Sequence, residues 1–294
     1  MEIRTLRSFL AVAREGNVTR AAGSLHITQP ALSRQLAELE RELGCTLLVR
    51  EPRGVTLTDE GILLRKRAEE IVALADRTEQ EMRTPAAEVE GDVWVGGGES
   101  RGLELVARAA AGLATEHPGV RLRLFSGNSE AVMERIDKGL LDFGIVMGHD
   151  PGSRYEQMSL AWEDRWGVLV RKDDPLVGRE RVELEELRDR PLIVSTQSHG
   201  TSGTDPSLDY FESHGFRVAA TYTLLYNASL LVEQGVGIAV CFDGIIRVGE
   251  GSPFCFIPVD GLPHVDSTIV WKRLQPLTRA AAAFLAAMRE AAND

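Results

Sequence analysis

Residues 28–44 read TQPALSRQLAELERELG, and this stretch decides the fold of the N-terminal part of the chain. Leu32, Leu36, Leu39 and Leu43 recur at spacings of four, three and four, which places them on one helix face directed at a core. Thr28 offers a capping hydroxyl, and Pro30 falls in the first turn, where a missing N–H costs nothing. Gln29, Ser33 and Arg34 lie off the leucine stripe near its N-terminal end. An amide, a hydroxyl and a guanidinium presented together suit base edges and phosphates in a major groove, so the pattern predicts a DNA recognition helix.

Upstream, Leu6, Phe9, Leu10 and Ala13 form the apolar face of a first helix that Gly16 and Asn17 end. A short second helix turns Ala21, Ala22 and Leu25 inward, and only His26 and Ile27 separate it from Thr28. Two short helices joined so tightly make a helix-turn-helix. Downstream, LLVREPRGVTLTDEG (47–61) alternates apolar and polar residues about a turn at Pro52–Gly54. That predicts a hairpin wing carrying Arg50 and Arg53 near its tip, where basic side chains meet phosphates.

The motif VTRAAGSLHITQPALSRQLAELERELGCTLLVREPRGVTLTDEG (18–61) resembles the N-terminal part of LysR-type transcriptional regulators. The likeness covers residues 1 to about 84 and continues more loosely through the rest of the chain. It implies that Gln29, Pro30, Ser33 and Arg34 approach bases and backbone, and that Thr19, Arg50 and Arg53 approach phosphates. The implied partners are double-stranded promoter DNA, further copies of the chain in a homodimer or homotetramer, a small-molecule effector and RNA polymerase.

The net charge of −11 argues against a nucleic-acid partner until its distribution is considered. Residues 1–58 carry net +2, residues 59–90 net −4 and the remainder net −9, so the acid lies outside the proposed reading head. A head of +2 is weakly attractive, and affinity then calls for two heads on one DNA. No apolar run approaches 18 residues and no charged leader precedes an apolar stretch, which predicts a cytoplasmic protein with no membrane partner. Cys45, Cys241 and Cys255 have no metal-ligand spacing, so neither metal nor cofactor is expected. Cys241 and Cys255 sit in strand-like runs and read as structural thiols.

From Asp59 to about Met82 there is no proline, Thr58 offers an N-cap, and Asp59 and Glu60 suit the positive end of a helix dipole. Leu64, Ala68, Ile71, Ala75, Thr78 and Met82 follow the a/d spacing of a coiled coil, which predicts pairing with a second copy. The alternative is one amphipathic helix packed on its own domain. TPAAEVEG (84–91) reads as a hinge.

Beyond Asp92, DVWVGG, VRLRLFS, DFGIVM, RWGVLVRK, PLIVS and GIAVCF alternate with helical stretches, an α/β pattern that predicts mostly parallel sheets. The family resemblance implies a periplasmic-binding-protein-like (type 2) domain whose chain crosses between two lobes near Ala161–Glu163 and Pro263–Asp266, its last helix returning to the first lobe. The expected architecture is α/β with an N-terminal all-α winged helix-turn-helix. It comprises that head over 1–58, a long linker and dimerisation helix over 59–84, a hinge over 85–91, and a two-lobed effector domain over 92–294. Lobe 1 covers about 92–161 and 267–294, and lobe 2 about 162–266.

Ligands in open α/β sheets bind outside the carboxyl ends of strands. Four such junctions are polar: GGGESRG (96–102), SGNSE (126–130), STQSHGTSG (195–203) and YNAS (226–229). Free N–H groups at helix starts suit a polar ligand, so Glu99, Ser100, Asn128, Ser129, Ser195, Thr201 and Asn227 are the candidate effector contacts, although each is also an ordinary helix cap. If Glu99 faces the cleft, it favours a ligand that carries a donor or cation beside its acceptor. Glu99, Asp142, His199 and Asp243 match no catalytic signature. An enzyme is therefore disfavoured, and a DNA-architectural protein without effector is the remaining alternative.

Overall fold

The computed structural model describes residues 1–51, 54–83, 89–148, 150–196, 208–262 and 265–292, with backbone alone at 50, 80, 83 and 161–163. The chain divides into two compact units, Met1–Ala86 and Ala87–Asp294.

The first unit runs α1 (Ile3–Glu15), α2 (Val18–Ser24), α3 (Gln29–Leu43), β1 (Leu48–Glu51), β2 (Gly54–Leu57) and α4 (Asp59–Arg83). Gly16 closes α1 at φ 57, and Asn17 opens α2 by accepting from the N–H groups of Thr19 and Arg20, so Asn17 starts a helix rather than ending one. His26 holds φ 55 in the tight connection to α3. Thr28 makes no side-chain cap, because Pro30 removes one of the two N–H groups such a hydroxyl takes; Leu32 N–H bonds the Thr28 carbonyl instead. Leu32, Leu36 and Leu39 are buried with Leu6, Phe9, Val12, Ala21 and Ala22, while Leu43, one residue before the left-handed Gly44, is exposed. Leu10 and Ala13 are only half-buried.

The wing pairs Leu48 with Leu57 through to Glu51 with Gly54. Glu40 anchors it to α3, its Oε1 accepting from Leu47 N (2.7 Å) and Leu48 N (3.1 Å). Thr58 caps α4 through Gly61 N (2.9 Å) and donates to the Thr46 carbonyl (2.7 Å). A Cβ on Gly61 would stand 2.2 Å from the Leu47 carbonyl oxygen, so only glycine lets this helix start lie against the wing.

The spacing of α4 is helical as expected, but its stripe divides between two surroundings. Ala68 is completely buried in the helix-turn-helix core, with Leu64 and Val72 packed beside it, and Arg7 of α1 pairs with Asp76. Ile71 and Met82 remain exposed, at 38% and 78%. The first turns of the proposed seam therefore pack within their own unit, because α1 and α4 lie side by side.

The second unit contains β3 (Gly91–Gly97), α5 (Gly102–Glu116), β4 (Val120–Ser126), α6 (Ser129–Asp137), β5 (Phe143–Met147), β6 (Tyr155–Asp164), β7 (Trp166–Arg171), β8 (Val182–Glu183), β9 (Leu192–Ser195), α7 (Leu208–Ser213), β10 (Val218–Tyr222), α8 (Leu225–Glu233), β11 (Ile238–Phe242), β12 (Phe254–Asp260), β13 (Val265–Lys272) and α9 (Arg279–Ala291). One sheet has the order β4-β3-β5-β13-β6 and the other β10-β9-β11-β7-β12-β8.

The chain passes between the sheets at Arg165 and again between Asp260 and Val265. Asp164 pairs with Val265 and Glu163 with Asp266, so lobe 1 extends to 164 and resumes at 265, beyond the limits of 161 and 267 read from the sequence. No glycine or proline interrupts these strands, and the antiparallel pairing resumes at Asp266 and Val265 beyond a register shift between Asp266 and Thr268. These crossing strands also make the sheets mixed rather than mostly parallel: among the described residues five pairings are parallel and four antiparallel. Helix α9 packs on lobe 1, where Phe284, Ala281 and Met288 meet Val93, Leu105 and Phe143.

Candidate functional site

On α3, burial of Leu32, Leu36 and Leu39 leaves Gln29, Pro30 and Arg34 exposed on the opposite side, with Ser33 half-buried between them. Gln29 Nε2 donates to Ser33 Oγ at 2.8 Å, so an amide and a hydroxyl one helical turn apart are already oriented together. Arg34 makes no hydrogen bond or ion pair among the described residues, and Thr19 is exposed at the start of α2. Arg53, and the side chain of Arg50, lie outside what the structure describes.

In the second unit, Glu99, Trp166, Ser195, Tyr222, Thr223, Leu225, Phe242 and Ile245 line a cavity of about 20 Å³. That is room for about one water molecule. Trp166 and Phe242 are opposed in the β7–β11 register and pack with ring centroids 4.0 Å apart. Tyr222 donates to the Val240 carbonyl (2.7 Å), and burial pushes its ionisation far up, so it forms a wall rather than a proton source. Glu99 does face this cleft, but its Oε2 accepts from Leu225 N at 2.6 Å. One donor leaves the carboxylate further acceptor sites, so a donor group on a ligand can still meet Glu99.

Of the other sequence candidates, Ser195 joins Glu99 in the lining and Thr201 lies outside the described residues. Asn128 is the N-cap of α6, accepting from Ala131 N at 3.0 Å, and Ser129 Oγ accepts from Met147 N at 3.5 Å. Asn227 is exposed in the first turn of α8, which starts two residues before it and not after it. Ser100 is buried, and its hydroxyl has no hydrogen-bond partner among the described residues. The aromatic lining is not marked by a polar junction; its signal in the sequence is an aromatic at the first residue of β7 and at the last residue of β11.

The profile described as "Bacterial regulatory helix-turn-helix protein, lysR family" matches residues 3–62, and "LysR substrate binding domain" matches residues 86–293. The chain belongs to the LysR family. Among similar proteins, the HTH-type transcriptional regulator CysL of Bacillus subtilis (strain 168) is 29% identical over 82% of this chain and 81% of its own length. The RuBisCO operon transcriptional regulator of Acidithiobacillus ferrooxidans is 29% identical over 95% and 91%. The crystal structure of CbnR, a LysR family transcriptional regulator, superposes with a TM-score of 0.76 at 25% identity over the whole of both chains. This LysR-type protein is thus a DNA-binding transcriptional regulator with an effector-binding domain, and not an enzyme.

The acidic residues weighed for catalysis have structural partners in the LysR-type fold. Asp142 accepts from Trp94 N (2.8 Å), and Asp243 pairs with Arg165 (2.9 Å). His199 lies outside the described residues. Among the described residues no group of side chains could hold a metal ion, and no helix is long and apolar enough to cross a membrane. Cys241 is buried, which pushes its thiol pKa far up and leaves it a packing group.

Where the chain first crosses between lobes, the regulator buries Asp164. Its carboxylate accepts from Arg101 N (3.4 Å) and from the Ser267 hydroxyl, and burial pushes its pKa above the ordinary value. The folded unit therefore holds this proton to higher pH than the unfolded chain. Its contribution to stability falls as pH rises from the ordinary carboxyl value to the raised one, and is level above that. Asp164→Asn removes this slope, so the variant-minus-parent difference in melting temperature becomes more favourable between pH 4 and pH 7. A difference constant with pH in circular-dichroism melts would show that burial does not perturb Asp164.

Proposed function

We propose that this LysR-type regulator binds promoter DNA as a homodimer, pairing further into a homotetramer, and that a small polar metabolite in the cleft of its α/β unit alters how the paired heads engage DNA. The observation that carries the effector reading is the cleft lining. Glu99 and Ser195 stand with Trp166 and Phe242 where the two sheets meet, and an apolar wall with a few convergent polar groups is the makeup of a small-molecule site. The buried Ser100 hydroxyl adds support, since such a group ordinarily has a partner. Work on promoter DNA places the protein in the cytoplasm within reach of RNA polymerase. Gln29, Pro30, Ser33 and Arg34 read the operator, and Thr19, Arg50 and Arg53 hold its backbone.

Thermal-shift titration of the full chain with a panel of amino acids, hydroxy acids and dicarboxylic acids tests the sensor. A cognate ligand at a hundred times its Kd stabilises by about 2.7 kcal/mol, which appears as a saturable rise in melting temperature. A panel without any saturable shift favours an architectural DNA-binding protein.

The dimer reading rests on the far half of α4. Ile71, Leu74, Ala75, Thr78 and Met82, with Ile3 of α1 and with Glu79 the one charged residue, line an open, mainly apolar groove of about 620 Å³. A second copy of the same helix is the natural occupant, because the stripe is self-complementary across a two-fold axis. Two heads on one DNA also answer the weak charge of a single head. Ile71→Glu sets a carboxylate against its own copy and should weaken the dimer by roughly 3 kcal/mol or more. Light scattering across a dilution series reads this, and a variant as dimeric as the parent at every concentration overturns the seam.

A further inference from the structure

Helix α8 begins without a cap of its own. The Leu224 side chain at the N-cap carries no polar atom, the first turn holds no acidic residue, and Leu225 is 1% exposed, so water is a poor substitute partner for its N–H. The acceptor comes from 126 positions earlier: Glu99, two residues past the end of β3 in the other lobe, places Oε2 2.6 Å from Leu225 N. A carboxylate on a helix N-terminus is a charge-assisted bond favoured by the helix dipole.

Two residues further on, Arg101 makes a second crossing. Its stem lies over Gly244 in the turn after β11: a Cβ there would stand 2.7 Å from Arg101 Cδ, and Gly244 holds φ +79. The Arg101 N–H is in turn held by Asp164, where the chain passes between lobes. Two residues of lobe 1, Glu99 and Arg101, therefore grip lobe 2 at α8 and at the β11 turn on either side of Ser100, with the Arg101 backbone fastened at the crossing. The space beside Glu99, which it lines together with Leu225, Trp166 and Phe242, holds about one water.

We propose that Glu99–Ser100–Arg101 is an interlobe clasp that holds the cleft shut, with Glu99 as its releasable end. Arg101 packs through its stem against backbone, whereas Glu99 depends on one exchangeable bond. A molecule larger than water gains room only as Glu99 leaves Leu225, so the clasp sets the threshold for effector entry. That consequence rests on the cleft being the effector site; the clasp itself does not.

Hydrogen exchange read by mass spectrometry on the full chain tests it with no ligand present. In Glu99→Ala, the amides at 225–229 and those of the turn at 243–246 should both exchange about tenfold faster, since the lobes part more often without the charged bond and the Arg101 stem then lifts from Gly244. Glu99→Gln should fall between that variant and the parent, because its side-chain carbonyl still accepts. The amides of β5 and β11 serve as the folding control and should not change. Acceleration confined to 225–229 would reduce Glu99 to a local helix cap and overturn the clasp, as would unchanged exchange at both places. A failed thermal-shift screen would leave this result standing, so the two readings fail separately.

Discussion

Replacing Arg34 with alanine lowers operator affinity by roughly 1–3 kcal/mol per reading head, and by about twice that for a dimer that presents two heads. The size follows from where the side chain stands. Leu32 and Leu36 on the buried face of α3 hold the helix in its unit, while Arg34 is exposed and bonded to nothing among the described residues. Its removal leaves packing unchanged, so the circular-dichroism melt should overlay that of the parent. Gel-shift titration at several salt concentrations measures the loss and assigns its kind. A base contact relaxes discrimination between operator and scrambled DNA, whereas a phosphate contact lowers affinity for both and reduces the salt slope by about one per head. Unchanged operator affinity would remove the first turns of α3 from the reading edge.

Phe284→Ala should destabilise the α/β unit by about 3–5 kcal/mol, the usual cost of deleting a fully buried phenyl ring. Phe284 is 0% exposed on α9 and packs against the ring of Phe143, with centroids 5.4 Å apart, in a core shared with α5 and β3. A unit of this size loses roughly 2–4 °C of melting temperature per kcal/mol, so the shift amounts to about 6–20 °C. The experiment asks whether the last helix is part of lobe 1 or an appendage. A shift below about 2 °C would show that α9 does not seal that core.

Most readings that depended on neighbours in the chain survived folding, and several that depended on a distant partner did not. The stripe of Leu32, Leu36 and Leu39, the glycine stop at Gly16 and the Thr58 cap of α4 each involve residues within a few positions of one another. Thr28 failed locally, for a reason also written nearby: Pro30 has no N–H to offer it. The strands β6, β8, β10 and β13 went unread because their register is set by partners across the sheets, as when Asp164 pairs with Val265 some hundred positions away. Sequence spacing could show which residues of α4 share a face but not what that face meets.

By itself, then, the sequence determined the periodic elements, the helix-turn-helix with Gln29, Ser33 and Arg34 off its leucine stripe, and the α/β character of the rest, since propensity, periodicity and capping act over a few residues. Tertiary structure alone decided that Ala68 belongs to its own unit's core while Ile71 stays exposed, because that depends on α1 lying along α4. It alone decided that Glu99 lies across the cleft from its lobe, bonded to Leu225. A side chain in a polar loop becomes a helix cap only when folding brings an uncapped N-terminus to it, and nothing in the ten residues around Glu99 records that the start of α8 would need one.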